Sequence, residues 1–486
     1  MSIINANNNT KQLLRGISAN LLIVVDCAKK EHRANFFDCS TGRFIYKNAL
    51  KVRNDLDGFK FLVEKTQKIL QQKKFKDSKV EVYLEDPCTY SQGLIYYLQK
   101  QKYLVRYVNA LNASNYRDNT RASNDVLDLD GIARTALMNQ FYDLAIQSDL
   151  YRRLKECTRE RQRLIKDQTR HKNVIHTFID LFFPDFLNCK KSGVTAFSKG
   201  CIELTLHKEF SSRLFFKSTP NKVINIIKKT GISEPEKVYL KLKELASKCV
   251  DLAKDEPDVF LFRLRRLQEQ ARFYQARQKC IELEEQQMAQ LLQYSPLALC
   301  LSITGAGLIS IATIAAELGD PRNWRTIDQT ASYGGVIPRQ KQSGGSESAP
   351  HVLSVPKDAN KHLKNALMTI VGSTKKYPHP AQKHTGKTHP LKQHFDKVEM
   401  RGGASFMSTA KKLIRLIYAM VRDENIYMAD IKKMTEEHHL IWIEEGTQKL
   451  LEKWSKYGIV PTEENYLGKW IQQKEKITQL IKEDLK

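Results

Sequence analysis

The chain has 486 residues, 41% of them apolar, with a formal charge of +25, which sets aside wholesale disorder and allows about three domains. Charge of this sign and size concentrates polyanions by long-range attraction, so nucleic acid is the leading partner. The apolar run Leu21 to Val25 is far too short to cross a bilayer, and nine cysteines without a C-x-x-C pair predict no disulfide framework; a cytoplasmic protein with no secretory leader and no membrane partner is expected.

Residues 1 to about 18 are polar and Asn-rich. LLIVVD, ANFFDCS and RFIYKNA then read as short strands separated by KKEH and by the turn at Thr41 and Gly42. From Asp55 to Gln72 the apolar residues Leu56, Phe59, Leu62, Val63 and Ile69 recur at helical spacing, and VEVYLE and LVRYVN read as strands around a helix from Ser91 to Gln101. Three strands followed by alternating helix and strand predict an α/β domain over residues 1–150, with a mixed sheet of ribonuclease-H type. Residues 151–295 are rich in Leu, Glu, Lys, Arg and Gln, with apolar residues at three- and four-residue steps. They predict a helical coiled-coil middle that serves dimerisation and spacing, interrupted over about 184–235 by a loop or a small helical insert. At 296 the sequence turns apolar and rich in small residues, predicting a third, mainly helical domain over 296–430. A helix around Lys361 to Val371, a basic loop over 373–394 and the helix STAKKLIRLIYAMVRDE are expected within it. A charged helical tail, 431–486, follows, anchored by Trp442, Trp454 and Trp470.

Carboxylates in so basic a chain matter because a polyanionic substrate repels them unless cations intervene. Asp26 and Glu85 each close an apolar strand, which would fix their carboxylates at the rim of a sheet. Asp125 and Asp128 are three apart and face one side of a helix. Together the four can converge on Mg²⁺ or Mn²⁺, which take oxygen ligands and neutralise charge in phosphoryl transfer. Any one of these acids alone reads better as a solvated surface group or a helix cap, and it is their joint order that favours a site. Asp130 could replace Asp128, and Asp86 would point away from Glu85 if the strand continues.

Ser343, followed by Gly344 and Gly345 and preceded by Arg339 and Lys341, combines a hydroxyl, a flexible backbone and phosphate-holding cations. From the residues alone, a solvated Gly/Ser loop is the simpler account. Gly305 and Gly307 read mainly as helix-packing glycines, since the full dinucleotide fingerprint is missing. His379, His384, His389 and His394 recur every five residues, a step that fits no single helix face and predicts a basic loop facing nucleic acid rather than a zinc site.

Taken together, Asp26-Cys27-Ala28-Lys29, Glu85 with Tyr90, Asn124-Asp125-x-x-Asp128, ITGAGLISIATIAAELGD leading to YGGVIPRQKQSGG, Lys357-Asp358-Ala359-Asn360-x-x-Leu363-Lys364 and RGGASFMSTAKKLIRLIYAMVRD resemble the DEDD transposases of the IS-one-ten type over nearly the whole chain. The resemblance implies a RuvC-like ribonuclease-H domain, a coiled-coil middle and a C-terminal transposase domain. It places Asp26, Glu85, Asp125 and Asp128 on the metal-binding tetrad, for Mg²⁺ or Mn²⁺, and Ser343 on a nucleophilic serine. The implied activity is transposition of an insertion sequence, on DNA at the element ends and target, with a structured guide RNA, the bridge RNA, and a homodimer or homotetramer. A RuvC-class nuclease without a covalent intermediate, or an inactive nucleic-acid-binding relic, are the alternatives.

Overall fold

The computed structural model describes residues 19–85, 90–108, 110–116, 125–139, 141–143, 149–320, 326–337, 339–340, 353–354, 359–376, 390–401, 404–427 and 435–484. Ser343, His379, His384, His389, Asp86 and Asn124 lie outside the described residues. The chain divides into two compact units, Met1–Ile146 and Gln147–Lys486.

The first unit is built on a mixed sheet. Its centre is β1 (Leu21–Asp26), antiparallel to β2 (Glu31–Asp38) and parallel to β5 (Val80–Glu85), which is in turn parallel to β6 (Leu104–Val108). The strands β3 (Arg43–Phe44) and β4 (Leu50–Arg53) both pair with β2, and β7 (Phe141–Asp143) runs antiparallel to β6 at the other edge. The strand expected over RFIYKNA stops after Phe44. The buried Asn35 amide takes over the backbone groups of Tyr46, with Nδ2 donating to its carbonyl at 2.9 Å and Oδ1 accepting from its N–H at 3.3 Å, so the chain leaves the ladder until Leu50.

Two-residue alternation gives the sheet two apolar faces. Leu21, Ile23, Val25, Val82 and Leu84 pack under the helices α1 (Leu56–Leu70) and α2 (Gln92–Lys100), through Phe59, Leu62, Leu94 and Leu98. The N-terminus of α1 is held by Asp55, whose Oδ1 accepts from Gly58 N at 2.9 Å. Leu22, Val24, Tyr83 and Val108 face the other way, against Leu129, Ile132, Ala133 and Ala136 of α4 (Asp125–Leu137); the short α3 (Ala110–Asn115) lies beside it. On this second face a buried trio is fully paired. Arg106 Nη1 donates to Glu81 Oε2 at 2.6 Å and to the Tyr83 hydroxyl at 2.8 Å.

In the second unit, α5 (Asp149–Phe182) and α6 (Pro257–Leu292) lie against each other. Their cross-links, Arg161 to Glu285 at 2.7 Å, Gln168 to Gln278 at 2.8 Å and His171 to Gln270 at 2.7 Å, run in opposite residue order, so the pair is antiparallel within one chain. The segment between them is a set of short helices with its own core of Phe183, Phe186, Phe210 and Phe215, which settles the loop-or-insert alternative in favour of a helical insert. A larger core joins Leu154 and Leu292 at the other end of this pair to α7 (Leu308–Leu318), α9 (Lys361–Lys376), α11 (Ser405–Arg422), α12 (Glu436–Ser455) and α13 (Tyr466–Asp484); α8 (Ile327–Tyr333) and α10 (Pro390–Met400) complete it. Trp442, Trp454 and Trp470 are all fully buried in this core, as anchors of the C-terminal helices. His394 is not in a loop. Leu391 and Phe395, four apart and buried, with Pro390 at the first position, make 390–400 a helix.

Candidate active site

The strand register brings Asp26 and Glu85 together. They are direct partners at the ends of the parallel strands β1 and β5, and both continue the alternation of Leu22, Val24 and Tyr83, which places them on the face covered by α4. Asp125 and Asp128 occupy the first turn of that helix. Leu129 and Ile132, one turn further on from each, are fully buried against the sheet, so the acid-bearing stripe is the inward one. Asp130 belongs to the outer stripe and pairs with Arg134 at 2.6 Å.

A residue that the sequence reading missed sits between these acids. Arg33 of β2 is the antiparallel partner of Asp26, and its Nε reaches Asp125 Oδ2 at 2.7 Å. The alternation in β2 carried a signal for it, because Arg33 shares the face of Asn35 and Phe37 rather than that of Ala34 and Phe36. The donor set suits a divalent cation, since all four candidates are hard oxygen ligands. Asp26 and Glu85 are the two that could hold one edge of it. Among the described residues, however, no group of three or more His, Cys, Asp or Glu side chains stands close enough to hold a metal ion, and Asp125 is turned to Arg33. A third ligand from α4 therefore requires a side-chain change at Asp125 or Asp128.

Two short paired strands flank the segment that contains Ser343. Arg339 pairs with Ser354 and Gln340 with Leu353 in an antiparallel β8–β9 ladder (Arg339–Gln340, Leu353–Ser354). Below it, Asn360 N donates to the Tyr333 carbonyl at 2.9 Å, and Gly335, at a φ of +63°, approaches Ala359 so closely that a Cβ would stand 2.4 Å from the alanine methyl. The Asn360 side chain ties this contact to the core. Its Nδ2 donates to Glu317 Oε2 and to the Tyr333 hydroxyl, each at 2.8 Å, while Oδ1 accepts from the N–H groups of His362 and Leu363, each at 3.0 Å, capping α9. Glu317, itself buried, is also paired with Arg159 of α5, and Lys155 stands 3.8 Å away. Burial, then the charge of Arg159, holds His362 below the usual imidazole range.

The glycine signature before α7 has a packing cause. Gly305 adopts a φ of +82°, and a Cβ there would lie 2.7 Å from Thr374 N, whereas Gly307 has open space. The loop is organised by Lys453 of α12, a half-buried residue whose Nζ donates to the carbonyls of Leu301 at 2.6 Å, Ala306 at 2.8 Å and Ile303 at 3.4 Å.

Comparison with known proteins agrees with this layout. A family model for transposases of the DEDD, IS110 type matches residues 23–184, and a second, described as transposase of the IS116/IS110/IS902 family, matches residues 297–385. Over 151 residues, 29% of this chain and 33% of the relative, it is 28% identical to the insertion element IS110 uncharacterized 43.6 kDa protein of Streptomyces coelicolor. Over 105 residues, 22% of this chain and 30% of the relative, it is 30% identical to a Pseudomonas aeruginosa protein named "Probable family 20 transposase". The matched stretches span about a third of each relative's length. The sheet with its acids falls inside the first model and the β8–β9 ladder with the Glu317–Asn360 contact inside the second, and the chain belongs to the IS110 family of transposases.

Proposed function

We propose that the protein is a DNA transposase that moves an insertion sequence, with Asp26, Glu85, Asp125 and Asp128 as a metal-binding carboxylate tetrad and Ser343 as nucleophile. The observation that carries the reading is the register pairing of Asp26 with Glu85 on the sheet face beneath Asp125 and Asp128. Strand order β3-β2-β1-β5-β6, with β2 antiparallel and β5 and β6 parallel to β1, supports a RuvC-like, ribonuclease-H type domain. Bound Mg²⁺ or Mn²⁺ would supply Lewis-acid stabilisation of charge on the phosphate oxygens.

In this reading Ser343 Oγ attacks the phosphorus of a DNA phosphodiester. The bond to one deoxyribose oxygen breaks, that oxygen takes up the proton that Ser343 gives up, and a phosphoserine ester remains. A strand-end hydroxyl attacking that ester re-forms a phosphodiester and returns the proton to Ser343, so rejoining needs no nucleotide hydrolysis. The β8–β9 ladder and the Asn360–Tyr333 contact flank the segment that carries Ser343. The +25 charge supports DNA as substrate, and a structured guide RNA that pairs with donor and target as a second nucleic-acid partner. A homodimer or homotetramer is the assembly expected for joining two element ends.

The test is capture of a covalent protein–DNA adduct on denaturing gels, with peptide mapping. The adduct should map to Ser343 and disappear in Ser343→Ala, whereas Ser346→Ala and Ser348→Ala should keep it at least in part. Cleavage by the parent without an adduct would assign metal-assisted hydrolysis instead, and an adduct on another serine would move the nucleophile.

A further inference from the structure

Two helices of the second unit, α10 and α11, present a cationic cluster that the acid tetrad and the serine hairpin do not use. The helices are packed together, with the Phe395 and Phe406 rings edge to face at 4.9 Å. Across this seam His394 Nε2 lies 2.9 Å from Ser408 Oγ. Lys397 follows His394 by three residues and Lys412 follows Ser408 by four, so each lysine sits one turn along the same stripe as its polar partner. His394 and Ser408 are half-buried and both lysines are exposed.

The electrostatics of this cluster are unbalanced. The neighbouring Lys411 is neutralised by Asp328 at 2.8 Å, but among the described residues no carboxylate makes an ion pair with Lys397 or Lys412. Burial, then Lys412 and Lys397, holds His394 below the usual imidazole range, and burial, then Lys397, lowers Lys412. The charges felt in the cluster are thus like charges, an arrangement that a bound anion would relieve. A neutral imidazole can donate Nε2–H to Ser408 Oγ, leaving the Ser408 hydroxyl hydrogen free to reach an acceptor between the lysines.

We propose that His394, Lys397, Ser408 and Lys412 form a phosphate-binding site for the backbone of double-stranded DNA, with the two ammonium groups and the Ser408 hydroxyl donating to one phosphodiester. The choice of DNA over other polyanions rests on the transposase reading. The site itself rests on the geometry of the two helices.

The experiment measures binding of the full-length protein to a short duplex of mixed sequence across a salt series without divalent cation, where no strand chemistry occurs. Lys397→Gln/Lys412→Gln should make the slope of log affinity against log salt shallower by about one, the loss of one phosphate contact. Ser408→Ala should weaken binding several-fold with little change in slope. The control Lys476→Gln/Lys482→Gln removes equal charge from exposed positions of α13 and should leave the slope unchanged. A Lys397→Arg/Lys412→Arg protein should bind as the parent does, which separates charge from folding. A slope unchanged in the glutamine pair, or changed equally in the control, overturns the site. A loss seen with a structured RNA and not with the duplex overturns its assignment to DNA. Because the series contains no divalent cation and reads binding alone, failure of the chemistry and failure of this site are read separately.

Discussion

At the scale of single residues, the proposed metal ligands Asp26 and Glu85 are register partners on neighbouring strands. Like charges side by side on neighbouring strands repel. Asp26→Asn should therefore melt at or above the parent temperature while strand transfer falls about a hundredfold or more. Mg²⁺ at a hundredfold excess over its Kd should stabilise the parent by about 2.7 kcal/mol and leave the variant unmoved; an equal metal-induced shift in both would remove Asp26 from the ligand set. Gly305 and Gly307 test backbone strain against open space. Gly305→Ala must hold a left-handed φ and push on Thr374 N, at a cost of about 3 kcal/mol or more, whereas Gly307→Ala should stay within about 1 kcal/mol, both read by denaturant unfolding. Lys453 is pushed down to about 8, chiefly by burial and then by Lys449 and Lys456. Between that value and the ordinary lysine range the unfolded chain holds a proton that the folded chain has released, so this contribution to stability grows as pH rises through the window and is lost as pH falls through about 8. The stability difference between parent and Lys453→Met should widen from pH 8 to pH 10, and a constant difference would contradict the shift.

At the scale of elements, one amide ties together the segments that flank β8 and β9. Asn360 caps α9, holds the Tyr333 hydroxyl and meets the buried Glu317. Asn360→Ala removes a cap worth about 1 kcal/mol and also leaves Glu317 one donor short. Melting temperature should fall modestly, proteolytic cleavage between residues 341 and 352 should quicken, and strand transfer should drop further than the stability loss accounts for, with duplex affinity retained. Unchanged proteolysis would show that the Asn360 contacts do not restrain this segment. Helices were read well where one face is spent on a core, as with Asp55 to Gln72, which forms Leu56–Leu70. The strand expected over RFIYKNA is cut short because Asn35, eleven positions before Tyr46, supplies hydrogen bonds that local propensity does not register. The loop expected at His394 was misread because Lys and His dominate the local composition, while only Leu391 and Phe395 are spent on the core.

At the scale of the whole molecule, each of the two units has its own apolar interior, the sheet with its flanking helices in one and the joined helical cores in the other. Residues 1–146 and 147–486 made as separate chains should each unfold cooperatively, as seen by calorimetry; a fragment without a cooperative transition would show that its core is incomplete alone. The sequence by itself determined the chemistry on offer and its order along the chain: basic overall charge, Asp26 and Glu85 at strand ends, Asp125 and Asp128 one turn apart, tryptophans as anchors. These are legible because strand alternation and helix periodicity act over a few residues. Only the tertiary structure decided that Asp26 and Glu85, 59 positions apart in number, are register partners, that Arg33 stands between Asp26 and Asp125, and that Glu317 reaches from α7 to hold Asn360. Those contacts depend on which strands pair and which helices pack, choices made by burial of surface summed over a whole unit rather than by any one segment.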